Sequence, residues 1–369
     1  MTVAAVAKKE FRQLGRDPRT LVFLIFVPML MLLMFGYVLS FDVKHISLAV
    51  VDQDRTPHSR ALVQALTNNE YFDLKATPDD ANAAESLLDR GVATLALIIP
   101  PGLGAAIAGG GAPTVQAIVD ASNANAAQTA LAYVDAFARV YGMTLLERSG
   151  AILEPPVSMR QTVLYNPELK SDRFLVPGLI AFILMISCCV ATSLSVVKER
   201  ETGTMEQVLV SPLTPGQVIL GKALPYAAVA IVALVLVLIT SVVAFDVEIR
   251  GSLVWLAICS LVFIVGAQGL GLLISTVTAS QQLAFMLSAL ITLLPTFLLS
   301  GFAFPIRSMP FWVQLFTYLV PGRYFIALLR AIILRGVGPE VFWPNLLALV
   351  IFAVLMLGAS SARLKRVRL

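Results

Sequence analysis

The sequence predicts a polytopic α-helical membrane protein with six transmembrane helices, re-entrant or interfacial helices before the last of them, and an inserted extracytoplasmic α/β domain. Three observations carry this expectation. Of 369 residues, 58% are hydrophobic and only 14% are charged, whereas soluble domains carry about a quarter charged residues. Apolar runs reach the roughly 18 to 20 residues that a helix needs to cross a ~30 Å hydrocarbon core. Between the first run and the second lies a long stretch, Asp42 to Arg173, that is mixed, polar and punctuated by Pro, Gly and Asn.

The elements follow in chain order. Residues 1–20 carry five basic residues before the first apolar run. Val3, Val6, Phe11 and Leu14 fall near helical spacing among Lys8, Lys9, Arg12 and Arg16, which suits an interfacial helix on the cytoplasmic leaflet. A frayed basic tail is the alternative. The run 21–41 is too long for a signal-peptide h-region and has no A-x-A cleavage site, so it reads as a retained first span. Spans are then expected over 174–197, 223–245, 253–277, 282–304 and 343–361, before a basic tail over 362–369.

Within 42–173, "HISLAVVDQD" reads as a strand ending in a polar turn. "SRALVQALTNNEYF" and "ANAAESLLDRG" read as helices, the second closed by Gly91. "VATLALIIP" and "PTVQAIVDAS" are β-like, with the glycines of "GLGAAIAGGGAP" between them. The stretch beginning "NANAAQTALAYVDAF" reads as a long amphipathic helix, with Asn123 and Asn125 where caps belong rather than as a sugar-binding pair.

Topology follows from the Lys/Arg bias of the short flanks. With both termini in the cytoplasm, the inside segments hold 12 Lys/Arg against 5 Asp/Glu, and the segment 42–173 outside holds 10 against 15. The chain is therefore expected in the cell inner (plasma) membrane with both ends cytoplasmic.

Several chemistries are excluded or left without support. Cys188, Cys189 and Cys259 all sit in apolar runs and form no C-x-x-C or Cys/His cluster, so neither a disulfide framework nor a zinc site is indicated. His45 and His58 have no partners in sequence. No metal, nucleic-acid or secreted-polymer site stands out. Predicted span centres contain no ionisable group, which argues against an ion-coupled secondary transporter.

One stretch approaches a phosphate-binding signature. GQVILGKA, from Gly216 to Ala223, differs from G-x-x-x-x-G-K-[ST] at its last residue. Ala223 replaces the hydroxyl that would hold magnesium, and "SPLTP" before it is a turn rather than a strand. Gly221 and Lys222 read instead as an interfacial helix start, and ATP hydrolysis by this chain is not expected.

The segment 198–222, "KERETGTMEQVLVSPLTPGQVILGK", is a compact loop of alternating charge. Thr204, with Gln207 three residues on, is placed to cap a short helix "MEQVLV". A short amphipathic helix held between two spans suits insertion into a groove on a soluble partner; an ordinary solvated turn is the alternative. Farther on, 305–337 is apolar but interrupted by Pro305, Pro310, Pro321, Arg307, Arg323 and Arg330. It reads either as two half-length helices that dip into the membrane, which requires protein or water around them, or as an amphipathic helix on the outer surface.

This loop is similar to the E-[RK]-E-x-G-T-x-E-x-L-x-x-[ST]-P segment of the ABC-2 family of ABC-transporter permeases. Glu199, Arg200, Glu201, Gly203, Thr204, Glu206, Ser211 and Pro212 fall on it, with Val208 at its Leu position and Leu209 one residue beyond. The order of a basic N-terminal helix, one span, an outer domain and five more spans also resembles that family, in its bacterial drug-efflux-like branch. So does the proline- and arginine-interrupted region before the last span.

The resemblance implies a transmembrane subunit of an ATP-driven exporter, with no cofactor of its own. ATP and magnesium would be bound by separate cytoplasmic ATPase subunits, which the loop would engage as a coupling helix. A second permease copy or paralogue would complete the path, with membrane lipids and a periplasmic adaptor as further partners. Stripes of small residues such as Gly266, Gly269 and Gly271 permit close helix approach between two copies, or equally within one chain. An apolar path lined by Met, Phe and Leu suits an amphiphilic drug or lipid. Arg307, Arg323 and Arg330 are expected at an outer gate, facing water, backbone carbonyls or an acid such as Glu340. Snorkelling to headgroups is the alternative there. A membrane-anchored receptor or scaffold whose outer domain binds a partner is the competing function.

Overall fold

The structure, a computed structural model, describes residues 3–38, 45–111, 113–122, 124–148, 171–203 and 214–367. The chain divides into two compact units, Met1–Ser40 with Val163–Leu369, and Phe41–Thr162.

The first unit is helical. A helix α1 (Val3–Arg16) is followed after Asp17 by α2 (Pro18–Val38). Later in the chain come α7 (Ser171–Glu201), α8 (Pro215–Phe245), α9 (Leu253–Ser275), α10 (Gln281–Leu299), α11 (Phe311–Thr317), α12 (Pro321–Leu329) and α13 (Pro339–Val367). Six of these are long and apolar enough to cross a membrane. In hydrocarbon every backbone N–H and C=O must be satisfied within the segment, so uninterrupted helix is what these sequences can form there.

The α7 helix is the most buried of the six and packs against α2, α8, α9, α10 and α12. Its core positions, among them Val176, Leu179, Ile180 and Ile183, are fully enclosed. Cys188, Cys189 and Cys259 are buried side chains of the same bundle.

Helix ends differ from the sequence expectation where local capping signals outweigh hydropathy. The third long helix starts at Pro215 rather than 223. Thr214 caps it and Gln217 bonds back to the Thr214 amide, with Pro215 in the first turn. At the other side of the loop, α7 continues to Glu201 and ends at Gly203, whose φ of +74° closes the helix. The connecting segment is therefore shorter than 198–222. The expected helix "MEQVLV" and the positions Thr204, Glu206, Leu209, Ser211 and Pro212 lie outside the described residues.

The glycines of α9 serve packing inside one chain. A Cβ at Gly271 would lie 2.3 Å from the Cys189 carbonyl oxygen and from Thr192 Oγ1, on α7. Gly266 and Gly269 face α13, at Phe352 and Met356. Both faces of the stripe are thus occupied by helices of the same chain, which corrects the alternative that these glycines form a contact between two copies.

The region 305–337 is a 3₁₀ turn (Ile306–Ser308) followed by α11 and α12, which meet at an 81° bend. The α12 helix runs on as a π-helical segment, Arg330–Arg335. Its Phe325, Ile326, Leu328, Leu329, Ile332 and Ile333 are buried, and Phe325 stacks on Phe263 of α9 at 4.0 Å. By contrast, α11 exposes Phe311, Trp312 and Phe316.

The second unit is an α/β fold of four strands, β1 (Ile46–Asp52), β2 (Phe72–Ala76), β3 (Leu95–Ile99) and β4 (Gln116–Val119), in the order β2-β1-β3-β4. The first three are parallel and β4 is antiparallel to β3. Helices α3 (Pro57–Thr67), α4 (Ala81–Asp89), α5 (Leu103–Ala108) and α6 (Ala124–Arg148) accompany them. Side chains alternate across the strands. Leu48, Val50, Leu95 and Leu97 pack with α3, α5 and α6, while Ala49, Val51, Ala96 and Ile98 pack with α4.

Two elements depart from the sequence reading. "EYF" does not prolong α3: the helix ends at Thr67, Asn69 caps the Leu66 carbonyl and receives the Tyr71 amide, and β2 follows. The glycine-rich stretch contains the short helix α5, opened by Gly102 at φ +88°. Asn123 lies outside the described residues, as does the side chain of Asn125. His45 does have a partner, Asp73, at 3.3 Å.

Replacing Gly271 by leucine is expected to lower the thermal unfolding temperature of the purified chain, by about 1–3 kcal/mol of overpacking or more. Gly358→Ala, where a Cβ meets nothing within 4 Å, should leave it unchanged. Equal melting of the two variants would show that the α7–α9 contact is looser than described.

Candidate functional site

The last turn of α7, Lys198 to Glu201, leads directly into the loop. A helix turns 100° per residue, so four consecutive side chains leave in four directions. Each meets a different part of the helical unit. Lys198 Nζ lies 3.6 Å from Asp17, at the α1–α2 junction. Glu199 is held by Lys9 of α1 and Lys222 of α8, each 2.6 Å away, one at either carboxylate oxygen. Arg200 donates to the Thr278 carbonyl in the α9–α10 turn at 2.9 Å. Glu201 accepts from the Gln281 amide at 2.8 Å and from its side chain, at the first turn of α10.

Glu10 completes the cluster. Its Oε1 lies 3.1 Å from Lys222 Nζ and 3.8 Å from Lys9 Nζ. Glu10, Glu199 and Lys222 are 1%, 3% and 3% exposed, so the ammonium of Lys222 has left water only because two carboxylates replace it. Lys9 remains half exposed. Burial pushes the Glu10 carboxyl above the usual carboxylate range; Lys222 opposes that shift and Glu199 adds to it.

Gly221 explains how α1 comes so close. A Cβ there would sit 2.6 Å from Val6 Cβ and 3.3 Å from the Val3 carbonyl oxygen. The Gly-Lys pair is thus a helix-crossing point followed by a buried cation, rather than the interfacial helix start expected at these residues. GQVILGKA is helical throughout, so beyond its first turn its amides bond along the helix and cannot cradle phosphate.

Of the expected coupling residues, the structure brings together Glu199, Arg200, Glu201 and Gly203. It adds Lys9, Glu10, Asp17, Lys222, Thr278 and Gln281, which the sequence reading did not select. A signal for Glu10 was present: it continues the buried stripe Ala7, Glu10, Leu14 of α1, an acid among apolar positions. Phe11, expected to share a face with Val3, Val6 and Leu14, is 47% exposed.

The three arginines before the last span are not brought to one place. Arg307 is exposed on the 3₁₀ turn. Arg323 donates to the Thr317 hydroxyl and lies 3.8 Å over the Tyr318 ring. Arg330 donates to the carbonyls of Gly301 at 3.1 Å and Phe174 at 3.3 Å, and stacks on the Phe174 ring at 3.8 Å. Backbone carbonyls and aromatic faces thus take the place considered for Glu340.

Six span-length helices, one of them buried among its neighbours, define a multi-pass membrane protein. The particular kind follows from comparison with known proteins. The family described as ABC-2 family transporter protein matches residues 18–362, and the chain belongs to that family. It is 31% identical to a probable multidrug ABC transporter permease, YbhS, of Escherichia coli, over 99% of this chain and 97% of that protein. It is equally similar, at 31%, to YbhR, also described as a probable multidrug ABC transporter permease, over 97% of both chains. An E. coli inner membrane transport permease, YhhJ, is 29% identical over 92% of this chain.

Lys222→Met is expected to destabilise the chain by about 3–5 kcal/mol, because it strands two buried carboxylates. Adding Glu10→Gln should recover part of that loss in thermal unfolding of the purified protein. Full stability of Lys222→Met alone would contradict the cluster.

The pH dependence has a definite sign. Between the ordinary glutamate value near ~4.3 and its raised value, Glu10 keeps a proton in the folded chain that the unfolded chain releases. Its contribution to stability therefore declines as pH rises through that window. Relative to Glu10→Gln, the unmodified chain should lose stability with rising pH; a rise would reverse the assignment.

Proposed function

We propose that this chain is the membrane-spanning permease subunit of an ATP-driven exporter, and that the last turn of α7 with the loop after it receives the motion of a separate ATPase. The supporting observation is the divergence of Lys198, Glu199, Arg200 and Glu201 onto four sites of the helical unit. A push on the loop, carried through Gly203 into this turn, reaches α1, α8, the α9–α10 turn and α10 at once. A solvated turn has no use for such ties, and a scaffold gives them no role. Thr204, Glu206, Leu209 and Pro212 are assigned to the docking segment itself.

In this reading both termini and the loop are cytoplasmic, the α/β unit is extracytoplasmic, and the chain resides in the inner membrane. The path is completed by a second permease copy or paralogue, with lipids around it and a periplasmic adaptor beyond. ATP and magnesium belong to the partner ATPase. The cargo is an amphiphilic small molecule, drug- or lipid-like, in keeping with the multidrug description of YbhS and YbhR. Arg307, Arg323 and Arg330 are assigned to an outer gate, where the hydroxyl and ring contacts of Arg323 and the carbonyl and ring contacts of Arg330 hold the bent pair α11–α12.

Glu201→Ala and Gly203→Pro should reach the membrane in normal amounts while export falls and ATP turnover of the assembled transporter no longer responds to cargo. Normal export by both variants would reduce the loop to an ordinary turn. Cysteines introduced at Ser122 and Ser211 should react with an impermeant reagent from opposite sides of intact cells, Ser122 from outside. Reaction of both from one side would overturn the topology.

A further inference from the structure

We propose that the α/β unit carries a binding site for the uncharged apolar part of an amphiphile, between α6 and the sheet. A cavity of about 380 Å³ lies there. Its walls are α3 through Leu66, β3 through Leu97, α5 through Ile107, and α6 through Phe137, Tyr141 and Leu145. Among the described residues that line it, none is Asp, Glu, Lys, Arg or His.

Packed interiors leave few voids larger than one water, and this one has room for about a dozen. It opens outward where Gly110, Gly111 and Ala138 are exposed, and water inside it meets few polar partners, so an apolar group displaces that water favourably. The size lies at the lower end of small-ligand pockets, which are apolar with a few polar groups at fixed places. The glycines of the lining, Gly110 and Gly111, already give their amides to the Ile107 and Ala106 carbonyls, which leaves the lining chiefly apolar.

The wall on the α6 side is built for a flat or extended apolar group. The rings of Phe137 and Tyr141 stack at 5.6 Å with 19° between their planes. Next to Tyr141, Gly142 lines the cavity, and a Cβ there would meet nothing within 4 Å. The absence of charge from the lining selects an aliphatic or aromatic moiety and places any headgroup of the amphiphile outside. This assignment goes beyond the permease reading and does not depend on it, since its test reads binding rather than transport.

The full chain in lipid nanodiscs is illuminated with diazirine-tagged dodecanol, and labelled peptides are mapped. The expected result is saturable labelling within Ala124–Arg148, competed by untagged dodecanol, besides non-saturable labelling of the spans. Gly142→Trp and Ala138→Leu, which fill the cavity, should each lose that labelling. Val140→Trp, on the exposed side of the same helix (Val140 is 66% exposed), should keep it. Labelling confined to the spans, or equal labelling of α6 in a filled variant, would overturn the site. Should neither filled variant accumulate, non-saturable labelling of α6 in the unmodified chain would overturn it as well.

Discussion

Glu10, Glu199 and Lys222 share one nearly water-free contact among α1, α7 and α8, and much of the helical unit depends on it. A buried ion pair of this kind adds little net stability compared with an apolar contact, because desolvation cancels most of the attraction. Its effect is on specificity. An acid on α1 and another at the end of α7 can lose their water only where Lys222 comes between them, so the three helices have one register that leaves no charge stranded. Lys9 takes the outer oxygen of Glu199 at the rim of the same contact.

The consequence is a rigid end to α7. Its apolar length is enclosed by five other helices, and its last turn is bonded in four directions. Such ties fix the direction in which the chain leaves α7. The positive φ of Gly203 marks where the helix ends. At the far side of the sequence, the bent pair α11–α12 follows the opposite rule. Arg323 and Arg330 meet a hydroxyl, carbonyls and aromatic faces of their own chain, although Arg330 Nε has no hydrogen-bond partner among the described residues.

The α/β unit rests on a different balance. Its strands β1 and β3 are apolar on both faces, as parallel strands covered by helices require. Large residues face α3, α5 and α6, and a mixed set of Ala49, Val51, Ala96 and Ile98 faces α4. The cavity lies on the side of the larger residues.

The sequence by itself determined what depends on composition and period. Length and hydropathy of the apolar runs specify six span-length helices, since hydrocarbon permits no other backbone there. The short apolar runs of "HISLAVVDQD" and "VATLALIIP", bounded by turn residues, specify strands, and the motif from Glu199 to Pro212 specifies the family. Local capping at Thr214 and Gln217 was also present in the sequence, but the neighbouring Gly221-Lys222 drew the boundary away from it. What the tertiary structure alone decided is partnership between residues far apart in the chain. Glu10 and Lys222 read singly as an acid in a basic helix and a lysine at a membrane boundary. Gly266, Gly269 and Gly271 permit close approach to any helix, and only the fold selects α7 and α13. A short strand such as β2, with Asp73 and Lys75 at its edge, carries too little period to be recognised until β1 pairs with it. Each case has the same physical reason: solvation and pairing energies belong to contacts, and the contacts exist only once the helices have packed.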